Sequence, residues 1–429
     1  MSLQRKSAKL PPLDLSKWRK VPTRLIIMGA VLMAIGLIAS IGVKHDGGRQ
    51  FAFSYLLAYM FFLSVCAGAL FLILFHHLFD AGWSVPIRRF CEHIASLLFP
   101  VMALFWIPIY LFRKHLYAWM SDNPATDHAL KAKLPMFTQP GFLIVSLACF
   151  AVWWLLTNRL RYWSLKQDEI GGALPTYKMR FYSYWGIFAF AITLTLAVFL
   201  WMTALEHEWF STMYGVFYFA GSVWMTLALV YVITMVLSRQ GILTDVLHEH
   251  QFYFIGSLMF AFTVFYAYVT FAQYFIIWNG NMPEETFWYV QREKGTCFWW
   301  SMIIIFGHFF VPFLALLRID VKNIFPFMFA IGVWAWLMHY VDMSFNIMPV
   351  AHPEGFPWKW VWLDFGCLAL IGGVLAKVFL AKFASAAPFP IKDPRLIEAM
   401  GHYHPVPTQL SGGELDQADD MQGSPDRSH

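Results

Sequence analysis

The chain has 429 residues, of which 59% are hydrophobic, 19% aromatic and only 13% charged. Soluble domains run about 45–50% apolar and about 25% charged, so too little polar surface is encoded to cover a water-soluble globule of this size. The formal net charge of +5 is spread over short connections and one N-terminal cluster, which argues against a nucleic-acid partner.

The segment 1–23 is basic and polar and lacks a short apolar run ending in a small-residue cleavage site, so it reads as a cytoplasmic segment and not a signal peptide. A bilayer core of ~30 Å takes roughly 20 apolar residues per helix. Ten runs reach or approach that length: 24–43, 51–75, 90–112, 141–157, 183–205, 211–237, 251–278, 297–317, 324–345 and 359–382. The fourth is the shortest and the seventh the longest. Pro100, Pro108 and Pro312 fall inside runs, where a neighbouring helix or water must satisfy the carbonyl each one frees. The runs are continuous, unlike the short alternating strands of a membrane barrel. The expected fold is therefore all-α, a polytopic membrane domain over 24–382. The segment 383–429, rich in Pro, Gly, Asp and His, reads as a largely disordered cytoplasmic tail that docks on a partner.

Ten crossings place both termini on one side. That side carries most of the Lys and Arg between the runs, among them Arg88, Arg89, Arg159, Arg161, Lys178, Arg180, Arg239 and Arg318. The other side carries Lys44, Arg49, Arg113, Lys114, Lys131, Lys133, Arg292 and Lys294. The positive-inside rule then puts both termini in the cytoplasm. Glu92-His93 is read as opening the third helix and Glu249-His250 as opening the seventh, four helices apart. The spacing suggests a parallel repeat, two four-helix bundles with the first and tenth helices flanking them.

Ionisable groups inside the membrane cost ~2.5–3.5 kcal/mol each and face protein or water, which makes them functional candidates. One group lies near the terminus side: His76, His77, Asp80, Glu92 and His93, with His76 and Asp80 on one face if the second helix runs that far. A second lies toward the opposite side: His339 and Asp342, three residues apart on the ninth helix, and Asp364 early in the tenth. His308 lies between them, near the middle of the eighth. Carboxylates and histidines exchange protons near neutral pH when burial shifts them, so two proton half-channels are one reading. Solvated or structural helix-end groups are the other.

The five cysteines, Cys66, Cys91, Cys149, Cys297 and Cys367, show no CxxC or CxxCH spacing, so they read as small packing residues and not as metal, haem c or iron–sulfur ligands. His77, His93 and His250 share a depth and leave a single haem open, whereas His339 stands alone in the opposite half, so a stacked pair of haems is not expected. No phosphate-binding loop, dinucleotide fingerprint or nucleophile elbow occurs. No cofactor is expected by motif, and no metal.

Two stretches carry a family resemblance. Ala81-Gly82-Trp83-Ser84-Val85-Pro86-Ile87-Arg88-Arg89 follows a helix ending in His76-His77. Ala204-Leu205-Glu206-His207-Glu208-Trp209-Phe210-Ser211-Thr212-Met213-Tyr214-Gly215-Val216 joins the fifth and sixth helices. Together with Gly307-His308 through Arg318 and the segment 339–353, they resemble the NrfD/polysulfide-reductase-type membrane subunits, in the branch found in alternative complex III. The likeness spans roughly 20–380 and is nearest the shorter second such subunit.

The resemblance implies a multi-pass protein of the bacterial inner membrane with two four-helix bundles. It implies a quinol:cytochrome c, or other high-potential acceptor, oxidoreductase complex in which this subunit holds no redox centre. A larger NrfD-like membrane subunit would be a partner, as would iron–sulfur and haem c subunits and a terminal oxidase. Proton paths are suggested for such subunits; here His76, His77, Asp80, Glu92, His93, His308, His339, Asp342 and Asp364 would serve. Two other functions stay open. One is a subunit that binds quinone or quinol itself, His339 and Asp342 holding the headgroup and taking its proton. The other is a secondary transporter, which would pair Gly/Pro-broken helices between the two halves.

Overall fold

The computed structural model describes residues 16–42, 47–123, 125–243 and 246–400. The basic segment up to residue 15 and the expected tail beyond residue 400 lie outside the described residues. The ten main helices are α1 (Ser16–Gly42), α2 (Arg49–Leu78), α3 (Gly82–Leu111), α4 (Gln139–Ile170), α5 (Leu174–Trp201), α6 (Tyr214–Arg239), α7 (Glu249–Gly280), α8 (Cys297–Leu316), α9 (Phe325–Ala351) and α10 (Val361–Ala384). Among the described residues there is no strand, and nine of these helices are long and apolar enough to cross a membrane. The other, α9, has 27 residues; His339, Asp342 and Asn346 in its second half lower its mean hydropathy. The protein is an all-α polytopic membrane protein.

The helices pack as two rings of four. α2 lies against α3 and α5, and α4 closes the ring on both. α6 lies against α7 and α9, and α8 closes the second ring on those two. α2 also packs on α6 and α9, so it is the wall the rings share. Every residue of α2 from Gln50 to Leu70 is buried, the fate of a helix that is apolar on all sides. α1 and α10 pair along their length and rest on α2. Outward residues such as Ile27, Ile38, Ile144, Phe188 and Phe271 present exposed apolar surface suited to lipid.

Several local expectations change. α3 begins at Gly82 because Pro86, in the first turn of its α-helical part, suits a helix start. Glu92 and His93 therefore lie in the last turn of that part and do not open the helix. The repeat survives in the packing order and not in the register of the two dipeptides. The run expected to be shortest, 141–157, sits in a helix of 32 residues, because α4 continues beyond its apolar stretch to Ile170.

Pro100 and Pro312 each accompany a widened turn, Leu98–Met102 in α3 and Ile304–Phe310 in α8. Phe99 leaves helical geometry altogether (φ −139°, ψ 133°). Pro100 supplies no N–H for the carbonyl of Ser96, and Lys382 of α10 donates to that carbonyl instead at 3.0 Å.

Candidate functional site

The near side, where α1 begins and α10 ends, holds a buried ionic network. α2 stops at Leu78, and Asp80 turns the chain with a left-handed backbone (φ 51°). Asp80 consequently leaves the face of His76 and pairs with Arg180 and, at 2.6 Å, with Arg395. The arginines of α3 gather the rest. Arg88 reaches Glu92 at 3.0 Å and Asp393 at 2.5 Å, and Arg89 reaches Asp168 at 2.7 Å. Ser164 donates to Glu92 at 2.8 Å. Arg88, Arg89, Glu92 and Asp393 are all buried, so headgroup water does not solvate them as helix-end positions alone would suggest.

Donor counting fixes two histidine tautomers here. A guanidinium only donates, so His76 Nε2 accepts from Arg88 at 3.2 Å. The Ser84 hydroxyl gives its single proton to the Ala81 carbonyl, so His76 Nδ1–H donates to Ser84. His93 Nδ1 likewise accepts from Arg161 at 2.8 Å. Both rings are neutral acceptors of arginine, and a further proton on either would face a guanidinium. Among the described residues nothing hydrogen-bonds either nitrogen of His77.

Residues 385–400 were expected in a disordered tail, yet they pack onto this network. Asp393 inserts between Arg88 and Arg395, Gln251 donates to the Ala399 carbonyl at 2.6 Å, and Asp168 accepts from the Ile391 backbone at 3.0 Å. Burial alone would raise the Asp393 carboxyl, but Arg88 and Arg395 outweigh it and hold the group well below the usual carboxylate range. The segment is held by ion pairing of Asp393 with Arg88 and by hydrogen bonds to Asp168 and Gln251.

The second group lies where the second ring meets α2. His308, expected alone between two clusters, joins His339 and Asp342; one ligand-capable atom from each lies within 4.8 Å of the others. Gly307 permits this approach, because a Cβ there would sit 2.6 Å from Met338 Sδ on α9. Trp334 caps the Gly307 carbonyl at 2.7 Å within the widened turn of α8. The His308 ring packs against Tyr266 and Trp224, tilted 33° and 35° to them, with centroids 4.0 and 4.3 Å away.

Ser64 donates its hydroxyl proton to the Phe61 carbonyl at 2.7 Å, so it accepts from His339 Nε2–H, also at 2.7 Å. That leaves His339 Nδ1 as a lone pair. Asp342 Oδ1 accepts from the Tyr266 hydroxyl at 2.8 Å and from Asn346 at 3.3 Å. Among the described residues, Asp342 Oδ2, His339 Nδ1 and both nitrogens of His308 have no hydrogen-bond partner.

Two polar files lead from this depth toward the far side. Asn346 accepts from Tyr214 at 2.8 Å through its side chain and from Arg292 at 3.0 Å through its carbonyl; Arg292 in turn pairs with Glu206 at 3.0 Å. Asp364 belongs to a separate file. It accepts from Tyr340 at 2.9 Å and from Ser54, which accepts from Gln50 at 3.0 Å, and Gln50 meets His352.

Sequence reading missed Ser54, Ser64, Tyr266, Tyr340 and Asn346. The available signal was a polar or phenolic residue in a helix that is buried all round. His339 and Asp342, the residues expected to hold a quinone headgroup, are 0% and 2% exposed. An apolar cleft of about 650 Å³ lies elsewhere, between α3 and α4, lined by Trp106, Tyr110, Phe150 and Trp154 among others. All five cysteines are buried and free. No known family model and no curated protein matches the chain.

Proposed function

We propose that the chain is a membrane subunit, without redox centres of its own, of a respiratory quinol:cytochrome c or other high-potential acceptor oxidoreductase complex. In this reading it sits in a bacterial inner membrane with both termini cytoplasmic, lines a proton path and anchors partner subunits of the NrfD-like, iron–sulfur and haem c kinds. One observation carries the reading. His308, His339 and Asp342 bring one ligand-capable atom each within 4.8 Å of the others deep in the second ring, Asp342 Oδ2, His339 Nδ1 and both His308 nitrogens have no hydrogen-bond partner among the described residues, and the Asn346–Arg292–Glu206 file runs from Asp342 toward the far side. A proton among those groups has acceptors to hold it, and the file sets polar side chains from this depth toward the far side, along which water can carry the proton. The resemblance of the 81–89 and 204–216 connections and the Lys/Arg asymmetry support the complex and the orientation.

The quinone-binding reading is favoured by the apolar cleft between α3 and α4, which suits an isoprenoid chain better than the buried His339 region. The transporter reading gains interrupted helices in both rings. They fall on the second helix of one ring and the third of the other, however, and so do not pair.

Gentle detergent purification through a tag on this chain, with an optical spectrum, subunit identification and quinone extraction, tests the proposal. Haem c and iron–sulfur subunits co-purifying with quinol-oxidising activity is the expected result. A colourless single-chain preparation that retains its fold would overturn it and favour transport. Quinone extracted from the isolated chain would favour the second reading.

A further inference from the structure

The three side chains inside the second ring are arranged as ligands. In protein metal sites a coordinating imidazole uses one nitrogen for the ion while the other is hydrogen-bonded, and a coordinating carboxylate is itself held by donors. His339 shows that division: Nε2–H is committed to Ser64 at 2.7 Å and Nδ1 is a free lone pair. Asp342 shows it too, with Oδ1 held by Tyr266 at 2.8 Å and Oδ2 free. Both nitrogens of His308 lack a partner among the described residues, and its ring is held by tilted contacts with Tyr266 and Trp224. His308, His339 and Asp342 are 0%, 0% and 2% exposed, and their ligand-capable atoms converge within 4.8 Å.

We propose that His308, His339 and Asp342 form a binding site for one divalent transition-metal ion of the zinc type. Two imidazoles and one carboxylate match the ligands such ions take, whereas calcium and magnesium select all-oxygen shells. Three protein ligands leave a fourth position for water. The ion requires Asp342 ionised and both imidazoles neutral, so its binding releases any proton they hold. It occupies the same lone pairs that a proton relay uses, so zinc and proton compete for the site and zinc loading inhibits the relay. The site is closed in the folded chain, so the ion is acquired as the helices assemble. The inference does not rest on the respiratory reading, because its readout is metal content and not turnover.

The test uses the full chain, carried on a tag without histidine, from cells grown with added Zn²⁺ and washed with EDTA. Elemental analysis is expected to find one zinc per chain. Zinc-edge X-ray absorption should show two imidazoles and one carboxylate at about 2.0–2.2 Å. His308→Gln and His339→Gln should each lose the ion, and Ser64→Ala should weaken retention about 10–100-fold. Asp127→Asn, which breaks the separate Asp122–Asp127–His207 group near the surface, should leave it unchanged. No zinc retained against EDTA, unchanged content in both histidine variants, or a sulfur-containing shell overturns the proposal. The absorption measurement on the unaltered chain stands even if a variant fails to fold.

Discussion

Asp342 and Asp364 sit on neighbouring helices, yet each has its own phenol: Tyr266 at 2.8 Å for Asp342 and Tyr340 at 2.9 Å for Asp364. A carboxylate at this depth costs ~2.5–3.5 kcal/mol on insertion scales, and the phenol offsets part of that cost. In each case one oxygen is held and the other is unpaired among the described residues. The held oxygen serves structure, and the free one is available to a proton. Asparagine preserves an acceptor for the phenol and removes the proton site. Asp342→Asn and Asp364→Asn are therefore expected to leave assembly intact and to lower proton-coupled turnover of the proposed complex by about 10²-fold, the lower end for general acid–base groups. Turnover and proton release measured with co-purification of the subunits checks this; normal values in both variants remove the relay role. Asp364 lies outside the three-residue ligand group, so its variant separates proton transfer from metal binding.

At the scale of elements, α1 and α10 are the flanking pair, and their contact rests on close backbone approach. A Cβ at Gly29 would lie 2.3 Å from the Leu370 backbone nitrogen and 2.7 Å from the Gly366 carbonyl. Backbone atoms do not move aside as a side-chain tip does. Small residues at such crossings replace the hydrophobic drive that lipid removes. Gly29→Leu is expected to separate the two helices and destabilise the protein by about 1–3 kcal/mol or more, the range of core overpacking. Gly42→Ala meets nothing within 4 Å and serves as the control. Thermal unfolding in detergent checks the pair, and equal midpoints would show that the crossing tolerates a side chain.

The apolar runs made nearly all of these helices legible, because hydropathy alone places a long segment in the bilayer. Helix starts were less legible. The polar residues of 82–89 carry no hydropathy signal, and what holds them in a helix is pairing with Glu92, Asp168 and Asp393, the latter two distant in sequence. The second cluster was half legible. His339 and Asp342 share a face by spacing, but the arrival of His308 depends on the widened turn at 304–310 and on Gly307 opposite Met338. The near-side histidines were visible as residues and not as arginine acceptors, since Arg88 and Arg161 could not be placed beside them from spacing.

For the whole molecule, the near side is closed by its own C-terminal segment. Residues 385–400 bring Asp393 and Arg395 back to the end of α2 and to α3, so the last described residues complete an ionic network begun some three hundred positions earlier. Removing one member of a buried ion pair costs ~3–5 kcal/mol, because the partner keeps its charge without its counter-ion. Asp393→Ala is thus expected to release the segment, read as increased hydrogen exchange and proteolysis across 386–400 with the membrane helices still protected. The pH dependence has a definite sign. Arg88 and Arg395 outweigh burial and hold the Asp393 carboxyl below its usual range, so its contribution is complete above the unfolded value of about 3.9. It is lost only as pH falls through the lower folded value. Protection of 386–400 should therefore stay level from neutral pH to about 4 and fail below it. Failure between pH 5 and 7 would show that a group other than Asp393 governs docking.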